Sequence, residues 1–194
     1  MKKILVFLVG LCLSTSLFAK EFVVDNGHTN VGFEIKHMMV ANFKGNFQKF
    51  EGEVEVDEAT KKINKLTASI DVNSIYTAID ARDNHLKSKS FFDVENFPKI
   101  TFEMTKFVQN EDKNEGKVEG YLTIKGVKKL VVLESEINGF IKDDGKGKQR
   151  VGLSLSGEIN RFDFGISWNN SFAPNQFNLG EKVKLEIEIE AIEK

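Results

Sequence analysis

Apolar and polar residues alternate along most of this chain. Val183, Leu185, Ile187, Ile189 and Ala191 are separated by Lys184, Glu186, Glu188 and Glu190, so the run has one apolar and one charged face. A period of two marks a half-buried β-strand. The same pattern sets Val31, Phe33, Ile35, His37 and Met39 against Gly32, Glu34, Lys36 and Met38. It also sets Ile100, Phe102 and Met104 against Thr101, Glu103 and Thr105, and Leu66, Ala68, Ile70 and Val72 against Thr67, Ser69 and Asp71. Less regular strands are expected over 42–56, 117–125, 130–137 and 150–160. Turn-forming residues mark connections at 110–114, 125–129 and 142–148. A single short helix is expected over 78–88, with Thr77 and Asp80 at its start and Lys87 and Lys89 near its end. About eight strands with hairpin spacing predict an all-β fold, a sandwich or an antiparallel barrel, and charged outer faces suit an eight-stranded barrel whose outside meets water. The interior of such a barrel is wide enough for side chains or for one small ligand.

Composition sharpens that picture. The chain holds 17 Phe and two Pro, and so many large apolar rings in a charged, strand-rich chain must line a core or a cavity. Lys2 and Lys3 precede an apolar run from Ile4 to Leu13, then hydroxyl residues and Leu17-Phe18-Ala19, the form of a secretory leader cleaved after Ala19. Cys12 lies inside the apolar run behind Leu11, which does not suit a lipoprotein site. A mature domain of residues 20–194 would then carry no cysteine and no disulfide. Removing Lys2 and Lys3 from the 27 basic residues leaves a net charge of −4 against 29 acidic ones. Nothing in that balance favours nucleic acid or an anionic membrane, and stable membrane insertion is not expected once the leader is gone.

No nucleophile elbow, phosphate loop, zinc motif or dinucleotide fingerprint is present. The histidines, His28, His37 and His85, are not spaced as ligands on one helix or hairpin, so no metal and no cofactor is expected. His37 shares the inward face of its strand with Phe33 and Ile35, and a polar ring there needs a partner, either in the core or on a ligand. Arg82 and His85, three apart on the expected helix, share one face. That face is either the polar mouth of the barrel or a solvated surface.

Ordered motifs over nearly all of the expected mature chain resemble the YceI-like family of exported, lipocalin-like bacterial proteins. They run from Asp25-Asn26-Gly27-His28-Thr29-Asn30-Val31-Gly32-Phe33 and Ile35-Lys36-His37-Met38 through Arg82-Asp83 to Phe92-Asp93 and Phe97-Pro98-Lys99-Ile100-Thr101-Phe102. Leu122-Thr123-Ile124-Lys125-Gly126-Val127, Ile159-Asn160-Arg161-Phe162-Asp163-Phe164-Gly165-Ile166 and Leu179-Gly180-Glu181-Lys182-Val183 continue the match. The resemblance implies a periplasmic antiparallel barrel with a long internal channel that binds isoprenoid chains, quinone-like molecules or fatty amphiphiles, often as a homodimer, and is not an enzyme. Val31, Phe33, Ile35, Phe47, Ile70, Phe102, Met104, Leu122 and Leu185 are expected to line the apolar channel. His37, Arg82, Asp83 and His85 are expected at its polar end. Two rival readings stand beside this one: a barrel enzyme using His37 or His85 with Asp83, and a structural stress-response module whose interior is filled by its own Phe residues.

Overall fold

The computed structural model describes residues 19–169 and 179–194, and the backbone of 171–173 and 176–177; the expected leader up to residue 18 lies outside the described residues. The first strands are β1 (Lys20–Val24), β2 (Asn30–His37), β3 (Ala41–Phe47), β4 (Phe50–Asp57) and β5 (Lys62–Asp71). A 3-10 turn (Val72–Ser74), β6 (Ile75–Tyr76) and the helix α1 (Asp80–Lys87) follow, then β7 (Lys99–Gln109), β8 (Glu115–Ile124), β9 (Val127–Ile141) and β10 (Arg150–Asn160). A second 3-10 turn (Arg161–Phe164) and the short strands β11 (Ser171–Ala173) and β12 (Gln176–Phe177) precede the long β13 (Leu179–Glu193).

Pairing is antiparallel throughout and runs β1-β4-β5-β7-β8-β9-β10-β13, with β13 returning to β1. Of the two folds that the alternation allows, sandwich and barrel, this is the closed eight-stranded barrel. Several of its staves are interrupted. Phe22 of β1 pairs with Val54 and Glu193, and farther along the same line Val31 of β2 pairs with Phe47 and Ile187. β1 and β2 thus form one stave, β3 and β4 a second, and β5 and β6 a third. The strand expected over 42–56 breaks at Gln48–Lys49, whose backbone N–H groups both donate to the Ser74 hydroxyl, at 3.1 and 2.9 Å. The Gln48 N–H is shared with the Ser74 carbonyl, also at 3.1 Å, and these bonds hold the second stave to the third.

One strand was not foreseen, and two local expectations are corrected. Residues 20–24 are too few for alternation to reveal a strand, yet β1 closes the barrel and buries Phe22 to 1% exposure. Met38 and Met39 belong to the β2–β3 turn, not to the strand. The helix falls inside the expected span, but Thr77 does not cap it: Ile79 occupies the N-cap without a side-chain bond.

The two ends of the barrel differ. Both ends of the described chain and the turns at 57–62, 109–115 and 141–150 gather at one end. There Phe22, Val54, Val56, Ile63, Val118, Val151 and Leu153 are at most 1% exposed and pack as a solid plug. The helix, the 88–98 loop, the β2–β3 turn and residues 161–169 gather at the other end. Cross-strand ion pairs such as Lys65–Glu53 and Lys182–Glu158 decorate the outer wall, where each is worth little.

Candidate functional site

Above the plug the barrel is hollow. A cavity of about 420 Å³ falls in the ~300–1,000 Å³ range of small-molecule sites, and its wall is almost wholly apolar. Val31, Phe33, Ile35, Phe47, Ile70, Phe102, Leu122 and Leu185 all line it. Met104 does not. The β7–β8 register shifts between Met104 and Lys106, and the Met104 side chain packs against the core outside the cavity wall. None of the seven plug residues reaches the cavity. The internal apolar channel is thus a blind-ended pocket, and below it side chains alone fill the barrel.

Glycines keep the lumen open despite its large aromatic residues. Phe33 lies against Gly45, where a Cβ would sit 2.5 Å from its ring carbon Cζ. Phe102 lies against Gly120, where a Cβ would sit 2.8 Å from its Cε2 and 2.7 Å from the Glu103 carbonyl oxygen. Each ring occupies the place of the missing side chain and lies flat along the wall instead of standing in the lumen.

The open end is roofed from two sides by α1. His85 meets Phe91 and Trp168 edge-on, at centroid distances of 5.0 and 5.1 Å, and those two rings lie 5.0 Å apart, tilted by 39°. Arg82, on the same helix face as its spacing predicts, reaches the opposite side and lies 4.7 Å over Phe43, which His37 meets edge-on at 4.7 Å. His37, Arg82 and His85 therefore line the mouth. Asp83 does not. It is buried, and its carboxylate accepts the Thr77 backbone N–H at 3.0 and 3.2 Å and the Thr77 hydroxyl. Arg82 Nε donates to the same hydroxyl at 2.7 Å, and its Nη2 donates to the Thr77 carbonyl. Asp83 braces the segment leading into the helix, and Arg82 both braces it and faces the cavity.

The alternation missed Phe43, Leu86, Phe91, Phe92, Phe164, Ile166 and Trp168 in the lining, because most lie on loops and the helix, where a period of two carries no signal. It also missed Arg161, which is 4% exposed. Its Nε donates to Gly180 O at 2.8 Å, and its Nη1 donates to Ile166 O and Trp168 O at 2.7 and 2.8 Å, tying the roof loop to β13. Burial pushes its pKa below the usual arginine value. Away from the cavity, Asp25, His28 and Glu190 bring ligand-type atoms within 4.8 Å of one another. A cation is already there: Arg150 Nη1 donates to Asp25 at 3.0 Å and to Glu190. The His28 ring, the Gly27 N–H and Arg150 hold the Asp25 carboxyl down at about 2.

A closed antiparallel barrel with a blind apolar pocket and a helix across its mouth is a lipocalin-like binding fold. The chain belongs to the family of the YceI-like domain, whose model matches residues 22–191. A UPF0312 protein of Staphylococcus aureus is 43% identical over 170 residues, covering 88% of this chain and 96% of that one. The crystal structure of the Campylobacter jejuni YCEI protein is 38% identical, with a TM-score of 0.71 over 88% of this chain and 96% of that one. A polyisoprenoid binding domain from Saccharophagus degradans shares the fold at 12% identity, with a TM-score of 0.64 over 91% of this chain and 99% of that one.

Proposed function

We propose that this protein binds and carries a long-chain apolar amphiphile, its tail toward the plug and its polar group at the mouth beside His37, Arg82 and His85. The observation that carries the reading is the 420 Å³ apolar cavity. At ~30 Å³ for each water-sized group, it has room for about fourteen such groups. Fourteen methylenes at ~0.8 kcal/mol each amount to about 11 kcal/mol of transfer free energy. Ordering and association costs take back a large part, leaving micromolar to nanomolar affinity with little dependence on the polar group. The Saccharophagus degradans neighbour is a polyisoprenoid binding domain, which points to the same ligand class.

Binding is favoured over catalysis by the position of Asp83. The carboxylate that a barrel enzyme would pair with His37 or His85 is bound by Thr77 instead. The leader pattern of residues 2–19, which precedes the family match, supports export to the periplasm. N-terminal sequencing of the exported protein should begin at Lys20 or within a residue or two. Tyr121 and Leu130, paired across β8–β9, and Val132 on the same outer face are exposed and support a homodimer, to be read by light scattering.

Mass spectrometry of an organic extract of purified protein tests the carrier reading. A stoichiometric long-chain lipid is expected. An empty extract, together with no binding of added long-chain fatty acids or isoprenoid alcohols, defeats it.

A further inference from the structure

The β2–β3 hairpin turns through Met38 and Met39 with φ of 49° and 61°, and the Val40 N–H donates to His37 O at 3.1 Å. Two successive left-handed residues are the signature of a type I′ turn, which Asn-Gly satisfies with least strain. A methionine Cβ in that region meets its own carbonyl oxygen, so both positions are sterically unfavourable. The turn also leaves apolar side chains in water: Met38 is 42% exposed, Met39 60% and Val40 84%. Backbone strain and apolar exposure thus coincide on three consecutive residues. Held strain of this kind points to function. The stem of the same hairpin supplies His37 and Phe43 to the cavity mouth, so the tip stands beside the opening through which a ligand would pass.

We propose that this tip docks on the surface of a lipid bilayer and sets the mouth against it, so that an apolar chain enters or leaves without crossing water. The proposal rests on the carrier reading and adds where loading occurs. Two observations favour a bilayer over a protein partner. Three side chains are far smaller than the ~800 Å² per partner of a stable protein interface, but they suffice for shallow insertion among lipid head groups. From Ile35 to Asn42 the strand end and the turn carry Lys36 and no acidic residue, which suits anionic head groups, whereas Lys44 farther down is taken up by Glu34 and Glu186.

The test replaces the strained residues with those the turn prefers, Met38→Asn with Met39→Gly. Thermal stability should hold or rise, because the strain is relieved. Co-flotation of unloaded protein with vesicles of phosphatidylcholine and phosphatidylglycerol should fall roughly tenfold, the scale of withdrawing two half-exposed apolar side chains from lipid. Transfer of a fluorescent long-chain fatty acid from the parent to those vesicles should quicken with vesicle concentration and slow with salt. In the variant it should lose its dependence on vesicle concentration, with binding in solution unchanged. Equal co-flotation of parent and variant overturns the docking proposal whatever the fatty-acid results. Failure of the parent to bind the fatty acid in solution, with co-flotation still dependent on the tip, defeats the carrier reading and leaves the tip as a membrane contact.

Discussion

Gly120→Ala isolates the idea that glycine notches hold the lumen open. Its Cβ would lie 2.7 Å from the Glu103 carbonyl oxygen and 2.8 Å from Phe102 Cε2. The carbonyl belongs to the β7–β8 ladder and cannot retreat without loosening it, so the Phe102 ring must swing aside into the free volume of the cavity. Overpacking of this kind costs about 1–3 kcal/mol. A domain of this size loses roughly 2–4 °C of Tm per kcal/mol, which predicts a fall of roughly 2–12 °C in calorimetry. The displaced ring would also exclude about three methylenes of ligand. At ~0.8 kcal/mol each that is about 2.4 kcal/mol, some fiftyfold in affinity, read by titration with a fluorescent long-chain fatty acid. Adding Phe102→Leu to the same chain should recover most of the binding, because the smaller side chain clears both the new methyl and the lumen. A fall in Tm with unchanged affinity would refute the reasoning, as would a double variant that binds no better than the single one.

Ala68 lines the cavity opposite Phe102, so Ala68→Phe should displace co-purified lipid, measured by mass spectrometry, while leaving Tm nearly unchanged. Leu153→Ala in the plug should cost about 2–5 kcal/mol by denaturant unfolding; Leu185→Ala, on a wall that already borders free space, should cost clearly less, and equal costs would contradict a solid plug beneath a hollow upper half. Glu188→Lys, on the outer face, should stay within about 0.5 kcal/mol. Because the Asp25 carboxyl is held at about 2 against an ordinary 3.8, its contribution is present above pH ~4 and is lost as the pH falls toward 2; the Tm gap between the parent and Asp25→Asn should therefore narrow over that range.

The barrel was legible where one face meets water and the other an apolar interior. β10 lies where it was expected, and the apolar set of β13 faces inward as the alternation of residues 183–191 requires. What defeated the pattern was any feature set by a partner distant in sequence. β1 is short and owes its existence to β4 and β13. The break at Gln48–Lys49 depends on Ser74, some 25 residues away. Met104 leaves the lining through a register shift that no local property of Ile100–Thr105 announces. The site was half visible. Its strand-borne wall could be read directly, but its roof of Phe91, Phe92 and Trp168 comes from irregular segments, and the division of labour between Arg82 and Asp83 turns on Thr77, which had been assigned to capping.

The pairing of the first strand with the last has a consequence in time. Phe22 meets Glu193, Lys20 forms an ion pair with Glu193, and Lys194 reaches Glu21, so the seam cannot be stitched until the C-terminal residues have emerged. A topology dominated by such distant contacts folds slowly, over milliseconds to seconds. Until β13 is in place, the seven staves before it would leave two bare edges, the arrangement most exposed to proteolysis and to edge-to-edge association. The last few residues of β13, paired with β1, are therefore the latch of the barrel.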